Sequence, residues 1–598
     1  MKKTALYLSV ILTIGLSGCS QSFLDTKDYT QKTTANFYKT PSDAQQALTA
    51  IYSSYLSALS PAVVNGTGVG SSMWIASEQM SDECFSGGGQ HDNQGAVDQW
   101  QESTTDQYMN EWQHYYEGIF RANNLIQYIG QVTGWTSSTQ KNQINGEAHF
   151  LRAIYYFDLM RMFGGPVGGK MMGVPLITDP SKPTSKRASV DSVYAQIASD
   201  LKFAIDSMPS VAYHALDPGH ATRWSAEALM ARVFLFYNGQ AYGRNYSQLG
   251  SNATMPLADG GKITNAQVVG WVDDCIANSG YHVVPTFGNL WPYSYKSPNN
   301  TYPYAIQNGF NWVGDDGAGG NNPEAVFQII YSTFGGWNNN QSVAYCNTID
   351  LYQGIRLQYN MPFGYGWGFN TVSPTVFNSF FAPGDLRQKG SVWDVNDASE
   401  GVTPGYQAGG DLWEETGYWN KKYVPIYVKA PASAGATSNM WSYACEQFPS
   451  MSYNVQLNNT QNLILIRFSD VLLMGAELGS ANALNYLNQV HQHSGLPALT
   501  NTSLATIQQE RKAELAFEGV RYWDELRWGT MVSDLNAENG VTIWNAGTKT
   551  TYKPNVTRFN ETKGFLPIPE TQITLSGGVL QQNDGWNSTD GDRIYQGN

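Results

Sequence analysis

The chain has 598 residues, of which only 14% are charged, against about 25% in an average soluble domain. Its formal charge of −14 argues against a nucleic-acid binder, which needs a basic surface to contact phosphates. A hydrophobic content of 42% excludes wholesale disorder, so the composition predicts a globular protein rich in amphipathic rings: 18 Trp, 36 Tyr and 24 Phe.

Residues 1–18 have the layout of a secretory signal peptide. Two lysines precede the apolar run Ala5–Leu16, which is too short for a membrane-spanning helix of about 20 residues. The next residues, Leu16-Ser17-Gly18-Cys19, resemble a bacterial lipobox, in which the cysteine thiol is acylated. Cys19 is therefore predicted to be the lipidated first residue of the mature chain. The alternative is an ordinary secretory signal with a cysteine there by chance.

Helical periodicity dominates the first part of the chain. Apolar residues recur at helical spacing, and small residues alternate with large ones between 224 and 237, as closely packed antiparallel helix pairs require. The predicted helices cover 42–59, 107–129, 146 to the stop at Gly164-Gly165-Pro166, a segment capped by Ser189 that ends before Pro209, and 224–237. No exact 34-residue repeat is present, so any repeat is degenerate.

The amino-acid composition changes between about 241 and 460. Glycine, asparagine, proline and aromatic residues dominate, in stretches such as WPYSYKSPNN, GGWNNN and FGYGWGF. Helical periodicity is absent here, whereas 325–331 and 426–429 have the character of short strands. Because a structureless loop of this length is improbable in a compact protein, we expect an irregular region that is packed and ordered by its rings.

Helices return after 460, and one of them is strongly charged. The segment 506–529 is predicted to be a single helix, and the tail GFLPIPETQI to be extended. Its carboxylates invite comparison with a glycosidase, which needs two carboxyl groups across a bound sugar. Each acid has a basic residue three positions away, which favours ordinary salt bridges instead: Glu514 with Arg511, Glu518 with Arg521, and Asp524 with Arg527.

Cysteine and histidine patterns predict no metal centre. Cys84, Cys275, Cys346 and Cys445 form no CxxC pair, so structural zinc is not expected; one or two disulfides stay open. His491 and His493 are two apart on a helix and so point to different sides. The sequence Asp315-Asp316-Gly317 could offer oxygen ligands to Ca²⁺ but lacks EF-hand spacing, and a flexible loop is the alternative. No cofactor is expected apart from this calcium option.

A series of short motifs, in order, resembles the SusD/RagB family of outer-membrane nutrient-binding lipoproteins. After the lipobox come FLDTKDYT, EAHFLRAIYYFDLMRMFGG, RASVDSVYAQIASDLKFAID, IRFSDVLLMGAE, ERKAELAFEGVRYWDELRWG and FLPIPETQI. The resemblance covers roughly 19–240 and 460–590, and is patchy between them. At His491 and His493 the sequence departs from the family, whose members usually carry arginines there, which puts local salt bridging in doubt.

The resemblance implies a mainly α fold, with a tetratricopeptide-like helical scaffold and a large loop-rich insertion. The expected organisation is a signal peptide (1–18), an N-terminal helical region (19–240), a loop-rich ligand face (241–460) and a C-terminal helical region (461–598), with 19–598 forming one unit. The implied function is capture of oligosaccharide at the cell surface for a SusC-type TonB-dependent porin in the outer membrane, without catalysis. A peptide-binding member and a surface glycoside hydrolase are the alternatives.

Rings in loops are the candidate ligand platforms. Sugar rings stack their C–H faces on aromatic side chains, while their hydroxyls need short polar partners. In the family, the segment corresponding to loop 82–100 contributes to the ligand site, although a tryptophan is more usual near position 91. The candidates are Asp82, His91, Asn93 and Trp100 in that loop, and Trp291, Tyr293, Tyr295, Trp312, Trp337 and Asn338 in the middle region. For any single ring, burial in the core is the alternative.

Overall fold

The computed structural model describes residues 37–60, 72–90, 92–244, 252–314, 322–333, 345–358, 360–400, 410–430, 440–449, 451, 454 and 456–595. The predicted signal peptide and Cys19 lie outside these residues. Helices of the first half are α1 (Pro41–Leu59), α2 (Met73–Gln79), α3 (Met109–Tyr128), α4 (Ser138–Phe163), α5 (Val190–Ser207), α6 (Arg223–Tyr237) and α7 (Asn265–Asn278). Then come α8 (Pro303–Gln307), α9 (Thr348–Gln353), α10 (Leu386–Ser391), α11 (Tyr443–Gln447), α12 (Phe468–Glu477), α13 (Ala483–Gln492), α14 (Leu504–Glu514), α15 (Arg521–Trp528), α16 (Met531–Glu538), α17 (Val556–Thr562) and α18 (Glu570–Leu575).

The helices predicted for the first half are confirmed and form the scaffold. Helix α1 packs on α3, α3 on α4, α4 on α5, and α5 on α6. The cap predicted at Ser189 is present, since its side chain accepts a hydrogen bond from the backbone of Ser192. Small residues allow the close approach that the sequence indicates: a Cβ at Gly118 would lie 2.3 Å from the ring of Tyr155 on α4.

The middle region is irregular and packed, as predicted, but it also contains helices that were not predicted. The longest of those described is α7. Thr264 and Gln267 form a capping box at the start of α7, and Val268, Val272 and Cys275 point into the core. The capping-box spacing followed by apolar residues at helical intervals was the signal for this helix.

The described strands are short and form separate sheets of two or three strands each. The pairs are β1 (Cys84–Gly87) with β10 (Phe369–Val372), β7 (Ala325–Ile329) with β15 (Leu463–Arg467), β8 (Ile355–Arg356) with β9 (Tyr365–Gly366), β11 (Val392–Asp394) with β12 (Tyr418–Asn420), β13 (Tyr427–Lys429) with β14 (Met440–Ser442), and β16 (Thr542–Asn545) with β17 (Thr548–Thr551). Strands β2 (Pro166–Val167), β3 (Lys170–Pro175) and β4 (Arg187–Ser189) form a three-stranded sheet, and β5 (Thr254–Pro256) pairs with β6 (Lys262–Thr264). The strands predicted at 325–331 and 426–429 are therefore confirmed with slightly shorter bounds.

The predicted single helix over 506–529 is wrong, because the chain breaks between α14 and α15. Phe517 has a φ of +62° and Gly519 a φ of +67°, and neither value is compatible with a right-handed helix. The phenyl ring of Phe517 is fully buried, so burial stabilises the break. The expected extended tail also contains a short helix, α18.

Cys84, Cys275, Cys346 and Cys445 are buried thiols, which settles the disulfide question left open by the sequence. Within the described ranges, no helix has the length and apolarity to cross a membrane.

Candidate functional site

The charged string 510–529 lies inside the protein and is fully neutralised there. The carboxylate of Glu514 contacts Arg467 at 2.6 Å, Arg387 at 3.1 Å and His493 at 2.8 Å. Glu518 is held by Lys422 at 2.8 Å and Arg467 at 2.9 Å. The predicted pairs of Glu514 and Glu518 with residues three positions away are therefore wrong, because the partners come from other elements.

The third predicted pair is confirmed: Asp524 and Arg527 lie 2.8 Å apart, and both side chains are buried. Arg511, expected to pair with Glu514, instead binds Asp524 at 2.8 Å. Since none of these acids faces an opening, no sugar could lie between them.

The two histidines preserve the salt bridging that their departure from the family pattern put in doubt. His491 Nδ1 lies 2.6 Å from Glu510 Oε2, and His493 Nε2 lies 2.8 Å from Glu514 Oε2. Burial lowers the pKa of His493, but the neighbouring Glu514 carboxylate outweighs it, so the net shift is upward. Both imidazoles therefore serve the buried ionic network rather than a metal.

Two of the loop 82–100 candidates are buried. The Asp82 carboxylate accepts two hydrogen bonds of 2.8 Å from the Arg521 guanidinium, and it is 3% exposed. The indole of Trp100 is 1% exposed, packs edge-on against Phe559 and donates its Nε1 hydrogen to Tyr522. The expectation that Asp82 and Trp100 contact sugar is corrected, because neither side chain reaches the surface. His91 and the Asn93 side chain lie outside the described residues.

Some of the candidate rings of the middle region are likewise buried, and others are partly exposed. Trp291 is 1% exposed, with the Lys422 ammonium 4.9 Å from its ring, and Tyr293 is fully buried and donates to the Gly390 carbonyl. These two are corrected to core residues. Trp312 is 9% exposed and Tyr295 is partly exposed.

Tyr295 and Trp312 both pack against Tyr443, with ring centroids 5.6 and 5.4 Å away. They lie at the margin of the core, so only Tyr295 offers appreciable surface. Trp337, Asn338 and the calcium candidate Asp315-Asp316-Gly317 lie outside the described residues.

The exposed part of loop 82–100 belongs to a surface formed by several loops. We define the loop face as residues 87–90, Asp92, 354–358, 365–368 and 410–413. Its centre is Arg356, whose guanidinium binds Asp92 at 2.9 Å and Asp411 at 2.9 and 2.6 Å, and donates to the Trp367 carbonyl at 2.9 Å. One side chain therefore ties three loops together.

Backbone contacts fix the tip of β1 against these loops. The Gly88 amide donates to the Gly368 carbonyl at 2.7 Å, and the Trp413 amide donates to the Gly88 carbonyl at 3.1 Å. The glycines permit this approach: a Cβ at Gly88 would lie 2.2 Å from the Phe369 ring, and one at Gly89 would lie 2.2 Å from Arg356. The run Gly87–Gly89 is thus explained by packing.

Apolar and aromatic groups on the loop face are partly open to solvent. Trp367 is partly exposed and rests on the buried ring of Tyr352, with a centroid distance of 4.9 Å. Leu357 is 51% exposed and has a φ of +53°, a strained conformation for a branched-chain residue of the kind that concentrates at functional sites. Trp413 is also partly exposed.

The binding residues predicted from the sequence do not include Trp367, Trp413 or Arg356. The glycine- and aromatic-rich string FGYGWGF contains Trp367 and was the available signal. For Arg356 no local pattern exists, since its partners lie 264 and 55 positions away.

One cluster of acids has the spacing of a metal site but is occupied by a cation of the chain itself. Asp82, Glu525 and Asp534 have carboxylate oxygens within 4.8 Å of one another. Arg521 contacts all three, at 2.8, 3.2 and 3.1 Å, so its guanidinium supplies the positive charge there.

Two family models match the chain, one over the N-terminal helical region and one from within the loop-rich region to near the C-terminus. The family model described as "SusD family" matches residues 323–586. A second model, described as "Starch-binding associating with outer membrane", matches residues 22–235. The chain belongs to the SusD/RagB family. The fold is the SusD fold, mainly α, as the resemblance implied.

Solved SusD-like structures have the same overall architecture. A laminarin-binding SusD-like protein is 25% identical and superposes with a TM-score of 0.64, covering 91% of this chain and 99% of the other. Surface glycan-binding protein A from Bacteroides fluxus is 21% identical, with a TM-score of 0.65 and the same coverage. Surface glycan-binding protein A from Bacteroides thetaiotaomicron, solved in complex with laminarihexaose, is 20% identical with a TM-score of 0.62, covering 91% and 100%.

Curated SusD-like relatives show a similar level of sequence identity. SusD-like protein P38 of Formosa agariphila is 22% identical over 91% of this chain and 95% of its own length. A SusD-like protein of Bacteroides ovatus is 22% identical over 71% of this chain, and the match spans 66% of that relative, just under two thirds of its length.

Proposed function

We propose that this SusD/RagB member is a cell-surface binding protein that captures a glycan on the loop face. The observation that carries the proposal is Arg356 holding three loops in one rigid surface beside the partly exposed Trp367. An aromatic platform next to charged and amide groups suits a sugar, whose apolar face stacks while its hydroxyls form hydrogen bonds. The laminarin-binding and glycan-binding names of structural relatives support this ligand class.

The surface around Arg356 favours a neutral glycan over a charged one. Asp92 and Asp411 already satisfy the guanidinium, and burial, which lowers the pKa of Arg356, is outweighed by its hydrogen bond to Asp411. Arg356 therefore has little capacity left for a ligand carboxylate. Binding is expected to rest on stacking, with each ring contributing about 0.5–1.5 kcal/mol beyond area burial.

The protein is proposed to deliver its ligand to a SusC-type TonB-dependent porin while tethered to the outer membrane through acylated Cys19. The lipobox and the family description "associating with outer membrane" support this placement. The proposed role is binding rather than hydrolysis, because Glu514, Glu518 and Asp524 form buried ion pairs and are not available to act on a sugar. Replacing Cys19 with Ala should release the protein from the membrane fraction.

Affinity electrophoresis tests the ligand class. The intact mature protein is run through native gels containing laminarin, xyloglucan or starch, with release of reducing sugar assayed in parallel. Retardation in at least one polysaccharide, without hydrolysis, is expected. Hydrolysis would favour a surface glycosidase, and migration unaffected by every polysaccharide together with binding to a peptide library would favour the peptide-binding alternative.

A further inference from the structure

A polar pocket of about 420 Å³ is lined in part by Glu414, which directly follows the loop-face segment 410–413 in the chain. Its volume falls within the range of about 300–1,000 Å³ that is usual for small-molecule sites. Side-chain amides and hydroxyls form its wall, and we call it the amide pocket, defined by Gly95, Gln99, Gln101, Glu414, Asn545 and Tyr595. Threonines of β17 form its rim.

The wall is built from segments that are far apart in sequence. The Gln99 side chain donates to the Tyr552 hydroxyl at 3.2 Å, and the Gln101 side chain donates to the Asp592 carbonyl at 2.9 Å. Both amide nitrogens are therefore engaged, which leaves the amide oxygens as acceptors. A Cβ at Gly95 would lie 3.2 Å from the Tyr595 hydroxyl, so the glycine allows the tyrosine to form the opposite wall.

The floor is a strained and buried acid. Glu414 is 5% exposed and has a φ of +48°, which a non-glycine residue rarely adopts. Its backbone amide donates to Asn545 Oδ1 at 2.9 Å, and its Oε2 accepts from the Gly87 amide at 3.2 Å. Burial raises the pKa of Glu414 well above its ordinary value, and the nearby Asp98 charge raises it further.

One segment of the chain contributes to both the loop face and the pocket. Glu414 follows Asp411, the Arg356 partner, by three residues, which is about 10 Å of extended chain. The isolated bridge between Glu415 and Trp544 then connects segment 410–415 to β16, which supplies Asn545. A short oligosaccharide lying on the loop face could therefore reach the amide pocket with its end or with a side branch.

We propose that the amide pocket binds one neutral sugar unit, a chain end or a branch, of the glycan held on the loop face. The side-chain amides and hydroxyls that line the pocket match the alternating donors and acceptors of sugar hydroxyl groups. Lys553, the charged residue among those that line the pocket besides Glu414, is exposed at the rim, where water screens it. This inference rests on the proposed function, because it assigns a subsite to the same ligand.

Saturation-transfer NMR with small probes tests the pocket separately from the loop face. The mature protein is mixed with methyl β-D-glucopyranoside, methyl β-D-galactopyranoside, methyl β-D-xylopyranoside and methyl β-D-glucuronide. We expect saturation of at least one neutral glycoside. Thr551→Trp, which fills the rim without removing a buried contact, should abolish that signal. Thr548→Trp, on the same exposed strand but outside the pocket, is the matched control and should keep it.

A second variant removes a hydrogen-bonding group instead of blocking the entrance. Asn545→Ala should weaken binding of the responsive glycoside about 3- to 10-fold, the loss expected for one hydrogen bond. Trp135→Ala, at a partly exposed tryptophan outside both the loop face and the pocket, should leave the glycoside signal unchanged.

The outcomes separate the two proposals. If no neutral glycoside is saturated, if Thr551→Trp and Thr548→Trp behave alike, or if only the glucuronide responds, the pocket assignment is overturned. In each of these cases retardation by polysaccharide could still support glycan capture on the loop face. If the glycoside signal behaves as expected but no polysaccharide retards the protein, capture of a polymer on the loop face fails instead.

Discussion

His493 Nε2 lies 2.8 Å from Glu514 Oε2, at a position where the resemblance to the family implied an arginine. Both side chains are buried, and Glu514 also contacts Arg467 and Arg387. The shorter imidazole thus maintains a contact to the acid of α14 and, through its Nδ1, to the Val284 carbonyl at 3.1 Å. A histidine in place of the arginine that the family resemblance implied therefore still pairs with Glu514.

His493→Ala should therefore destabilise the fold strongly. The variant removes one of the three basic partners of Glu514 and leaves the buried Val284 carbonyl without the imidazole, and such losses amount to about 1–3 kcal/mol in the free energy of unfolding. Urea denaturation of the mature protein measures this. His214→Ala, at an exposed histidine, is the control and should stay within about 0.5 kcal/mol of the wild type. Equal stability of the two variants would contradict the account of the network.

Trp291→Ala should act on stability rather than on ligand binding. The indole is 1% exposed and packs between Phe287, Tyr423 and the Lys422 ammonium. Truncating a buried tryptophan costs about 3–5 kcal/mol because it leaves a cavity. Thermal unfolding and urea titration should both detect the loss. A variant of wild-type stability that fails to bind glycan would instead restore Trp291 as a ligand platform.

The protein should become more stable as the pH falls from 8 to about 5.5. Burial raises the pKa of Glu78 to about 8 and that of Glu538 to about 7. Between the unfolded pKa of about 4.3 and these values, the folded state holds protons that the unfolded state has released, so stability is lost as pH rises. Burial also raises the pKa of Asp98 to about 6, which adds to the same trend.

Melting temperatures measured at half-unit intervals of pH test this. Glu78→Gln removes one titrating group and should flatten the upper part of the curve. Below about pH 4 the sign reverses, because the neighbouring Arg511 and Arg232 guanidinium groups overcome burial and lower the pKa of Asp470 to about 2. A melting temperature that rises steadily from pH 5.5 to 8 would contradict this assignment.

Arg356→Ala should loosen the loop face without unfolding the scaffold. The side chain joins segments 87–92, 365–368 and 410–413, none of which belongs to the packed helices α1 to α6. Hydrogen exchange should accelerate at the amides of Gly89, Gln90 and Trp413, while amides of α4 remain protected. Arg121→Ala, which removes a partly exposed ion pair on α3, is the matched control. Unchanged exchange at these three amides would contradict the role given to Arg356.

Much of the scaffold could be predicted from the sequence, because its signals are local. The cap at Ser189 and the alternation of small and large residues on α6 depend on residues within a few turns. The break between α14 and α15 could not be predicted, because burial of the Phe517 ring compensates a backbone conformation that local propensity disfavours. Helix α7 could have been predicted from its capping box, Thr264 and Gln267, but it lies in a region whose glycine, asparagine and proline content indicated irregular structure.

The candidate site was much less predictable, since a tryptophan's exposure depends on residues far away in sequence. Trp291 and Trp367 both occur in strings rich in glycine, proline and aromatic residues, yet one is covered by Tyr423 and Lys422 and the other remains partly open. The role of Arg356 depends on its ion pairs with Asp92 and Asp411, and no sequence spacing relates these two residues to Arg356. Composition could indicate an aromatic ligand surface, but it could not select its members.

Titration calorimetry of Trp367→Ala, with whichever of laminarin, xyloglucan and starch retards the wild type most, tests glycan capture on the loop face most directly. The matched control is Trp135→Ala, at a partly exposed tryptophan between α3 and α4. The account predicts that wild type and Trp135→Ala bind with the same affinity, while Trp367→Ala binds at least about fivefold more weakly at unchanged melting temperature, as the loss of one stacking platform implies. Equal affinity of all three proteins, or no binding of any of the three polysaccharides by the wild type, would contradict it.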